Sequence, residues 1–244
     1  MLSKNEQKYI KSLRIKKYRS REKHFLVEGT KSIMELLESD FEIDILVSSD
    51  QRLFDIKKKG NFRLELVSES LLSQLGTFKT NNSGLAVVKM KEQVPFNYQL
   101  DDYLFALDGV GDPGNLGTIV RTLDWFGFKK LLCSKDCAEF YHPKTIASTM
   151  GSFTRIRVYY ENLQEILPRL EGPVYSADAK GISMYDIGDL LKGTIVMGGE
   201  SHGIRPEIKD MMSERIAIPK YGTAESLNVS IATGILACYL RMSK

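Results

Sequence analysis

Cysteine is scarce in this chain, with three residues among 244. So few, and an odd number, cannot form a complete disulfide set, so a reducing cytoplasm is the expected setting. Cys133 and Cys137 stand four apart and could pair on a metal, but only His142 lies near them, and no metal site is expected. Long apolar runs are also missing. The longest stretch free of charge, Ser226 to Leu240, is too short and too polar to span a bilayer, so no membrane partner is expected. The N-terminus is polar and charged from Ser3 onward, which argues against a secretory leader in it. No internal repeat or low-complexity tract is visible. The net charge of +3 is too small to argue for a nucleic-acid partner by itself. A hydrophobic content of 43% at this length is enough to bury one large core or two small ones.

The distribution of charge says more than its sum. Between Lys4 and Lys31 stand ten basic residues against Glu6, Glu22 and Glu28, with Tyr9 and Tyr18 interleaved. A basic segment carrying aromatics suits phosphate attraction with base stacking. Lys16, Lys17, Arg19, Arg21 and Lys23 are its densest part and the candidate nucleic-acid-binding residues. A solvated basic helix face would read the same way from charge alone.

Element patterning divides the chain. The first part reads as a helix over Lys4–Leu13, strands over Phe25–Val27, Ile43–Val47, Leu64–Val67 and Leu85–Met90, and helices over Thr30–Leu37, Leu53–Lys58 and the segment carrying Leu71, Leu72 and Leu75, capped by Ser68. Residues 93–101, around Pro95, form a linker between domains at 1–92 and 102–244. Beyond it, strands at Tyr103–Leu107, Lys130–Cys133, Arg155–Tyr159, Val174–Ala177, Thr194–Met197 and Arg215–Ile218 alternate with helices at Leu116–Trp125, Lys144–Met150, Leu163–Arg169, Arg205–Met212 and Leu227–Leu240. That alternation predicts an α/β fold with a mostly parallel, doubly wound sheet.

Gly109 to Gly114 matches the letters of G-x-G-x-x-G after a strand, with Asp136 roughly twenty residues on. A dinucleotide fingerprint needs the helix to start inside the glycine pattern. Here Pro113 lies within it, and Gly114-Asn115 place the expected cap after it, so a nicotinamide or flavin site is disfavoured. A more telling pattern lies near the C-terminus. The run Ile195–Met197 opens onto Gly198-Gly199-Glu200-Ser201-His202-Gly203. The run Ile216–Ile218 passes Pro219 and a polar loop to Glu225-Ser226-Leu227-Asn228 and a helix. Strand ends opening into polar loops before helices are where parallel α/β sheets build ligand crevices.

These two segments, with Asp112-Pro113-Gly114-Asn115-Leu116-Gly117-Thr118-Ile119-Val120-Arg121 upstream, resemble the three ordered motifs of the SpoU (TrmH-type) RNA ribose 2'-O-methyltransferases of the SPOUT class. The likeness is detailed from about Tyr103 to the end. The first ninety residues resemble more loosely the small L30-type RNA-binding domain that precedes it, through Phe25-Leu26-Val27-Glu28-Gly29. The resemblance implies a parallel-sheet domain closed by a trefoil knot and S-adenosylmethionine as cofactor, with S-adenosylhomocysteine as product. It also implies an RNA substrate (ribosomal more than transfer RNA) and a homodimer packed through the last helix. The candidate catalytic residues are then Asn115, Arg121, Glu200, Ser226 and Asn228. Those for the cofactor are Leu107, Met197, Gly198, Gly199, Glu200, Gly203, Ile218, Ser226, Leu227 and Asn228.

The chemistry agrees with such a set. A ribose 2'-hydroxyl is a poor nucleophile until its proton is polarised, so polar side chains fixed at element ends are needed beside it. Arg121 stays protonated and suits a phosphate clamp better than a base; an ion pair with Asp124 is the competing reading. Ser201 stands where most relatives carry glycine, and His202 is expected at the surface. A helix cap is the competing reading of Ser226. A transfer-RNA enzyme, or an RNA-binding assembly protein without chemistry, are the alternative functions.

Overall fold

In the computed structural model, which describes residues 2–50, 62–78, 81, 83–97, 102–188, 190–200 and 202–242, the chain forms two compact units. One comprises Met1–Glu92 with Glu139–Thr154, the other Gln93–Ala138 with Arg155–Lys244. The excursion Glu139–Thr154, placed by the sequence reading in the second domain, therefore goes with the first. The helix expected over Leu53–Lys58 lies outside the described residues, as does part of the expected linker.

The first unit starts with α1 (Lys4–Ser12), closed by a capping box in which Ser3 and Glu6 satisfy each other's backbone amides. α2 (Lys16–Glu22) follows, an element the sequence pattern does not announce. It has no side-chain cap and no apolar stripe, and it ends where Lys23 turns left-handed at φ 57°. Then come β1 (His24–Glu28), α3 (Thr30–Leu37), β2 (Ile43–Ser48), β3 (Arg63–Leu66), α4 (Glu69–Leu75) and β4 (Gly84–Lys89). Ser68 caps α4 by accepting the Leu71 amide at 3.3 Å. The sheet order is β1-β4-β2-β3, parallel only between β2 and β3.

Alternation along β1 decides what covers this sheet. Leu26 joins Ile10, Leu13, Val47, Leu72, Leu85 and Val87 in one buried cluster. Its neighbour Phe25 faces the other way, against Phe41, Tyr141 and Phe153 at centroid distances of 5.8, 4.5 and 6.0 Å. Tyr141 and Phe153 belong to the excursion that carries α6 (Pro143–Thr149). The excursion and α3 both pack against this unit's sheet, and the excursion supplies Tyr141 and Phe153 to the layer that faces Phe25. The pairs with Phe41 and Phe153 are edge-to-face and that with Tyr141 is tilted; aromatic pairs of this kind contribute about 0.5–1.5 kcal/mol each beyond burial.

The second unit alternates strands and helices over most of its length. Its elements are β5 (Leu104–Asp108), α5 (Pro113–Trp125), β6 (Lys130–Ser134), β7 (Arg157–Glu161), α7 (Leu163–Ile166), β8 (Val174–Ser183), β9 (Thr194–Gly198), α8 (Pro206–Lys209), β10 (Glu214–Ala217) and α9 (Val229–Met242). The sheet runs β10-β8-β9-β5-β6-β7, and every pairing in it is parallel. The chain winds outward from β5 through β6 to β7, then crosses to the other side of β5. The order thus reverses between β5 and β9, where Asp108 and Gly198 are register partners. In parallel sheets that reversal opens a crevice at the strands' carboxyl ends.

Several boundaries differ from the sequence reading, and two of them have a clear physical reason. β8 continues to Ser183 through the charged Asp178-Ala179-Lys180. Gly181 allows this, because a Cβ there would lie 2.4 Å from the Arg215 carbonyl oxygen of β10. α5 starts at Pro113, not Leu116, capped by Asp112, whose carboxylate accepts the Asn115 amide at 2.9 Å. The helix does begin inside the glycine pattern. What separates it from a dinucleotide loop is that its first position is a proline without an N–H, and that the Asp112 side chain already takes the Asn115 amide.

Candidate active site

Three loops meet at the reversal between β5 and β9, and Asp108 at the end of β5 ties down the first two. Its backbone carbonyl accepts the Gly199 amide at 2.8 Å. Its carboxylate, 1% exposed as a residue, takes the Arg205 amide on one oxygen and the Arg205 Nε on the other, both at 2.8 Å. The carboxylate in turn raises the Arg205 pKa above the ordinary guanidinium value. Both ends of the loop Gly198–Arg205 are therefore anchored to one residue. The glycines let the backbones close up: a Cβ on Gly199 would lie 2.3 Å from the Gly109 carbonyl oxygen, and one on Gly198 2.3 Å from the Gly203 carbonyl carbon. Gly203 turns at φ 64°, a conformation that costs a side-chain-bearing residue energy.

This loop presents Glu200. Its Oε1 accepts Asn115 Nδ2 at 2.7 Å and Asn228 Nδ2 at 3.1 Å. Asn228 Nδ2 also reaches Asn115 Oδ1 at 3.1 Å. Ser230 Oγ lies 3.0 Å from Asn115 Oδ1 and 2.7 Å from Asn228 Oδ1, close enough to donate to either. One residue from each of the three motifs, with Ser230, thus forms a single polar network. Charge-assisted bonds hold the Glu200 carboxylate in place. Its Oε2 accepts no hydrogen bond among the described residues and is open to a ligand.

The other expected site residues are placed as follows. Ser226 is exposed and outside the network. The cap of α9 is Asn228, whose Oδ1 accepts the Ser230 amide at 2.9 Å, so Ser226 is not the cap of that helix. Ser230, missed by the sequence reading, was legible as a second hydroxyl two residues after Asn228, on the buried side of the helix start. Arg121 is exposed and makes no hydrogen bond or ion pair among the described residues. Asp124, its competing partner, pairs with Arg155 at 2.9 Å. Six residues place Arg121 about 9 Å along α5 from Asn115 and about 240° around it, so the helix does not join the two.

Leu107 and Met197 are register partners in β5 and β9 and fully buried; their side chains are core, and only their strand ends border the crevice. Ile218 is half-buried just past β10, and Leu227 is 48% exposed. His202 is exposed, and Ser201 lies outside the described residues.

In the first unit, Arg19 overturns one expectation. It is 1% exposed, with Nε and Nη2 on the two carboxylate oxygens of Glu139 at 3.1 and 2.6 Å and Nη1 on the carbonyls of Leu13 and Arg14. A guanidinium satisfied in this way serves folding and cannot reach RNA. Lys16, Lys17 and Lys23 are exposed, and Arg21 pairs with Glu22 at 2.6 Å while lying over the Tyr18 ring.

The SpoU rRNA Methylase family model matches residues 102–238, more than half of the chain and all of the network. The chain belongs to the SpoU family. The MRM3-like substrate binding domain model matches residues 4–86. The chain is 30% identical over 236 residues to the 23S rRNA (guanosine(2553)-2'-O)-methyltransferase RlmP of Bacillus subtilis, covering 95% of this chain and 94% of that one. It is 33% identical over 140 residues to RlmB of Escherichia coli, a 23S rRNA (guanosine-2'-O-)-methyltransferase, covering 54% and 57%. A TrmH-family protein from Porphyromonas gingivalis superposes over the whole of both chains with a TM-score of 0.89 at 34% identity. The AdoMet-bound rRNA methyltransferase from Sinorhizobium meliloti superposes at 0.87 and 27% identity, covering 99% and 96%.

The loop between β10 and α9 fits the SpoU cofactor. Residues 220–228 are all exposed, and their backbone amides donate to no other group among the described residues. An open run of backbone donors beside Leu227 and Ile218 offers polar edges and an apolar wall, which an adenosine moiety needs. Among the described residues no group of three or more His, Cys, Asp or Glu is placed to hold a metal ion.

Proposed function

We propose that this chain transfers a methyl group from S-adenosylmethionine to a ribose 2'-hydroxyl of ribosomal RNA. The observation that carries the reading is the Asn115–Glu200–Asn228–Ser230 network, which draws all three motifs to the crevice where the strand order reverses. The cofactor, bound along Gly198–Gly203 and residues 218–228, supplies an activated methyl group. The chain's own residues then have two tasks, positioning and proton management. Glu200, held through Oε1 by two amides, keeps Oε2 for the acceptor hydroxyl. Asn115 and Asn228 fix that carboxylate, and Ser230 fixes them. Arg121, exposed on α5, clamps the neighbouring phosphate.

Two further statements go with this reading. The family's trefoil knot, in which the last helix threads through an earlier loop, is one of them; α9 packs along α5, where Gly234 meets Thr122 and Arg241 Nε donates to the Phe126 carbonyl at 2.7 Å. The protein also works as a cytoplasmic homodimer through the outer faces of α5 and α9, where Trp125 is 84% and Ile231 56% exposed. The deciding experiment is a map of 2'-O-methyl positions in total RNA from cells with and without the gene. A site in ribosomal RNA that disappears with the gene and returns with the wild-type protein is expected. A lost site in transfer RNA only, or none, refutes the assignment.

A further inference from the structure

The first unit contains a cavity of about 560 Å³ whose lining includes Arg14, Thr77, Phe78, His142, Lys144 and Ser148. That volume falls within the ~300–1,000 Å³ of ligand pockets. Three distant stretches build it: the end of the α1–α2 connection, the turn after α4, and the start of α6 in the excursion. Its described lining contains no carboxylate. The second unit's cavity, about 280 Å³, sets Asp136 and Glu161 among Lys135 and Arg205 and has no such bias.

The turn that forms one wall is held with unusual firmness. Glu28, buried at 6% exposure, accepts the Thr77 amide at 2.8 and 2.9 Å on its two oxygens, the Thr77 hydroxyl at 2.6 Å and the Phe78 amide at 3.3 Å. Gly76 makes this possible, since a Cβ there would stand 2.1 Å from Glu28 Oε2. Arg14 braces the same turn through the carbonyls of Gln74 and Leu75. The Phe25–Gly29 segment singled out in the sequence therefore has a concrete task, to fix Thr77 and Phe78. A rigid turn presenting a half-buried ring, facing basic side chains across a cavity, has the two parts that single-stranded nucleic acid needs: a stacking surface and cations.

We propose that this cavity binds one nucleotide of the substrate RNA strand, its base against Phe78 and its phosphate between Arg14 and Lys144. The proposal rests on the methyltransferase reading and extends it, because it moves the RNA-reading surface from the Lys16–Lys23 stretch to a pocket completed by the excursion. Arg14 also braces the turn, so the test uses the exposed Lys144 and the half-buried Phe78 in the full-length protein. Binding of a fluorescent single-stranded RNA 16-mer is measured for F78A, F78Y, K144E and K144A, together with S-adenosylmethionine affinity and methyl transfer to deproteinised ribosomal RNA. F78A and K144E should each weaken RNA binding about tenfold or more, with F78Y close to wild type. K144A should lower the slope of log affinity against log salt by about 1. The KM for RNA should rise while kcat and cofactor affinity hold. If folded F78A and K144E both bind RNA within twofold of wild type, the pocket assignment is overturned while methyl transfer by the wild type stands. If the wild type methylates no RNA but the variants still lose RNA binding, the pocket stands and the reaction falls.

Discussion

Ser226 and Ser230 are two hydroxyls four residues apart, and they are held very differently. Ser230 is 6% exposed and within hydrogen-bond reach of two amide oxygens, while Ser226 sits on an open loop. Removing the Ser230 hydroxyl takes one hydrogen bond from the amide oxygens of Asn115 and Asn228 and loosens the hold on Glu200 through them. Misplacement of an ångström at a reacting centre lowers rate by up to about 10²-fold. Single-turnover methyl transfer should therefore fall between about tenfold and 10²-fold in Ser230→Ala and stay near wild type in Ser226→Ala; equal rates would remove Ser230 from the site. Arg121 supports a second expectation. Its guanidinium has no partner among the described residues, so Arg121→Ala should leave thermal unfolding and cofactor affinity unchanged. Methyl transfer should fall at least about tenfold through loss of a charge-assisted phosphate contact. Calorimetric titration beside the turnover assay separates the two, and a cofactor affinity that falls with the rate would contradict the phosphate role.

Elements show which parts of this molecule were legible in its sequence. Strands such as β5 and β9 read clearly because both are buried on two faces and carry uninterrupted apolar runs. The three loops that follow strand ends were legible as a set, since glycines, an asparagine cap and polar side chains recur where a parallel sheet needs them. α2 was not legible: with no apolar stripe, only Arg19 anchors it. The pairing of Arg19 with Glu139 joins residues 120 apart and has no local signature. The same distance hid the excursion, whose Tyr141 and Phe153 look like any loop aromatics until Phe25 faces them. Asp108 was passed over because a carboxylate closing a buried strand resembles a turn residue. Its clamp on Arg205 gives an element-level prediction. Breaking a buried pair on one side costs about 3–5 kcal/mol, and less where one partner is open to water; the Arg205 side chain is 40% exposed. Asp108→Asn should lower stability by about 1–3 kcal/mol in denaturant titration. It should also loosen the Glu200 loop, so that kcat falls more than the cofactor affinity. A variant that loses stability but keeps full kcat would show that the clamp serves folding alone.

At the scale of the whole molecule, the excursion rules out the simplest dissection. A fragment starting near residue 100 would carry Tyr141 and Phe153 without Phe25 and Phe41, exposing an aromatic layer that belongs to the first sheet. Assembly is therefore best tested on the full chain. α9 buries Val229, Ser230, Thr233, Leu236, Ala237 and Leu240 on one side, at the spacing of a single helical stripe. Ile231 and Met242 lie off that stripe, at 56% and 78% exposure, and Trp125 at the end of α5 is 84% exposed. α5 and α9 run side by side, and each leaves such a side chain exposed. A large aromatic held in water is costly, and a symmetric copy would cover it with the same patch. A stable interface needs about 800 Å² from each partner, centred on such anchors. Sedimentation of the full-length protein should therefore report about twice the 27.6 kDa chain mass. Trp125→Glu with Ile231→Glu should shift it to the monomer with the fold intact by circular dichroism. A wild-type monomer at micromolar concentration, or a double variant that stays dimeric, would show that this surface is not the seam.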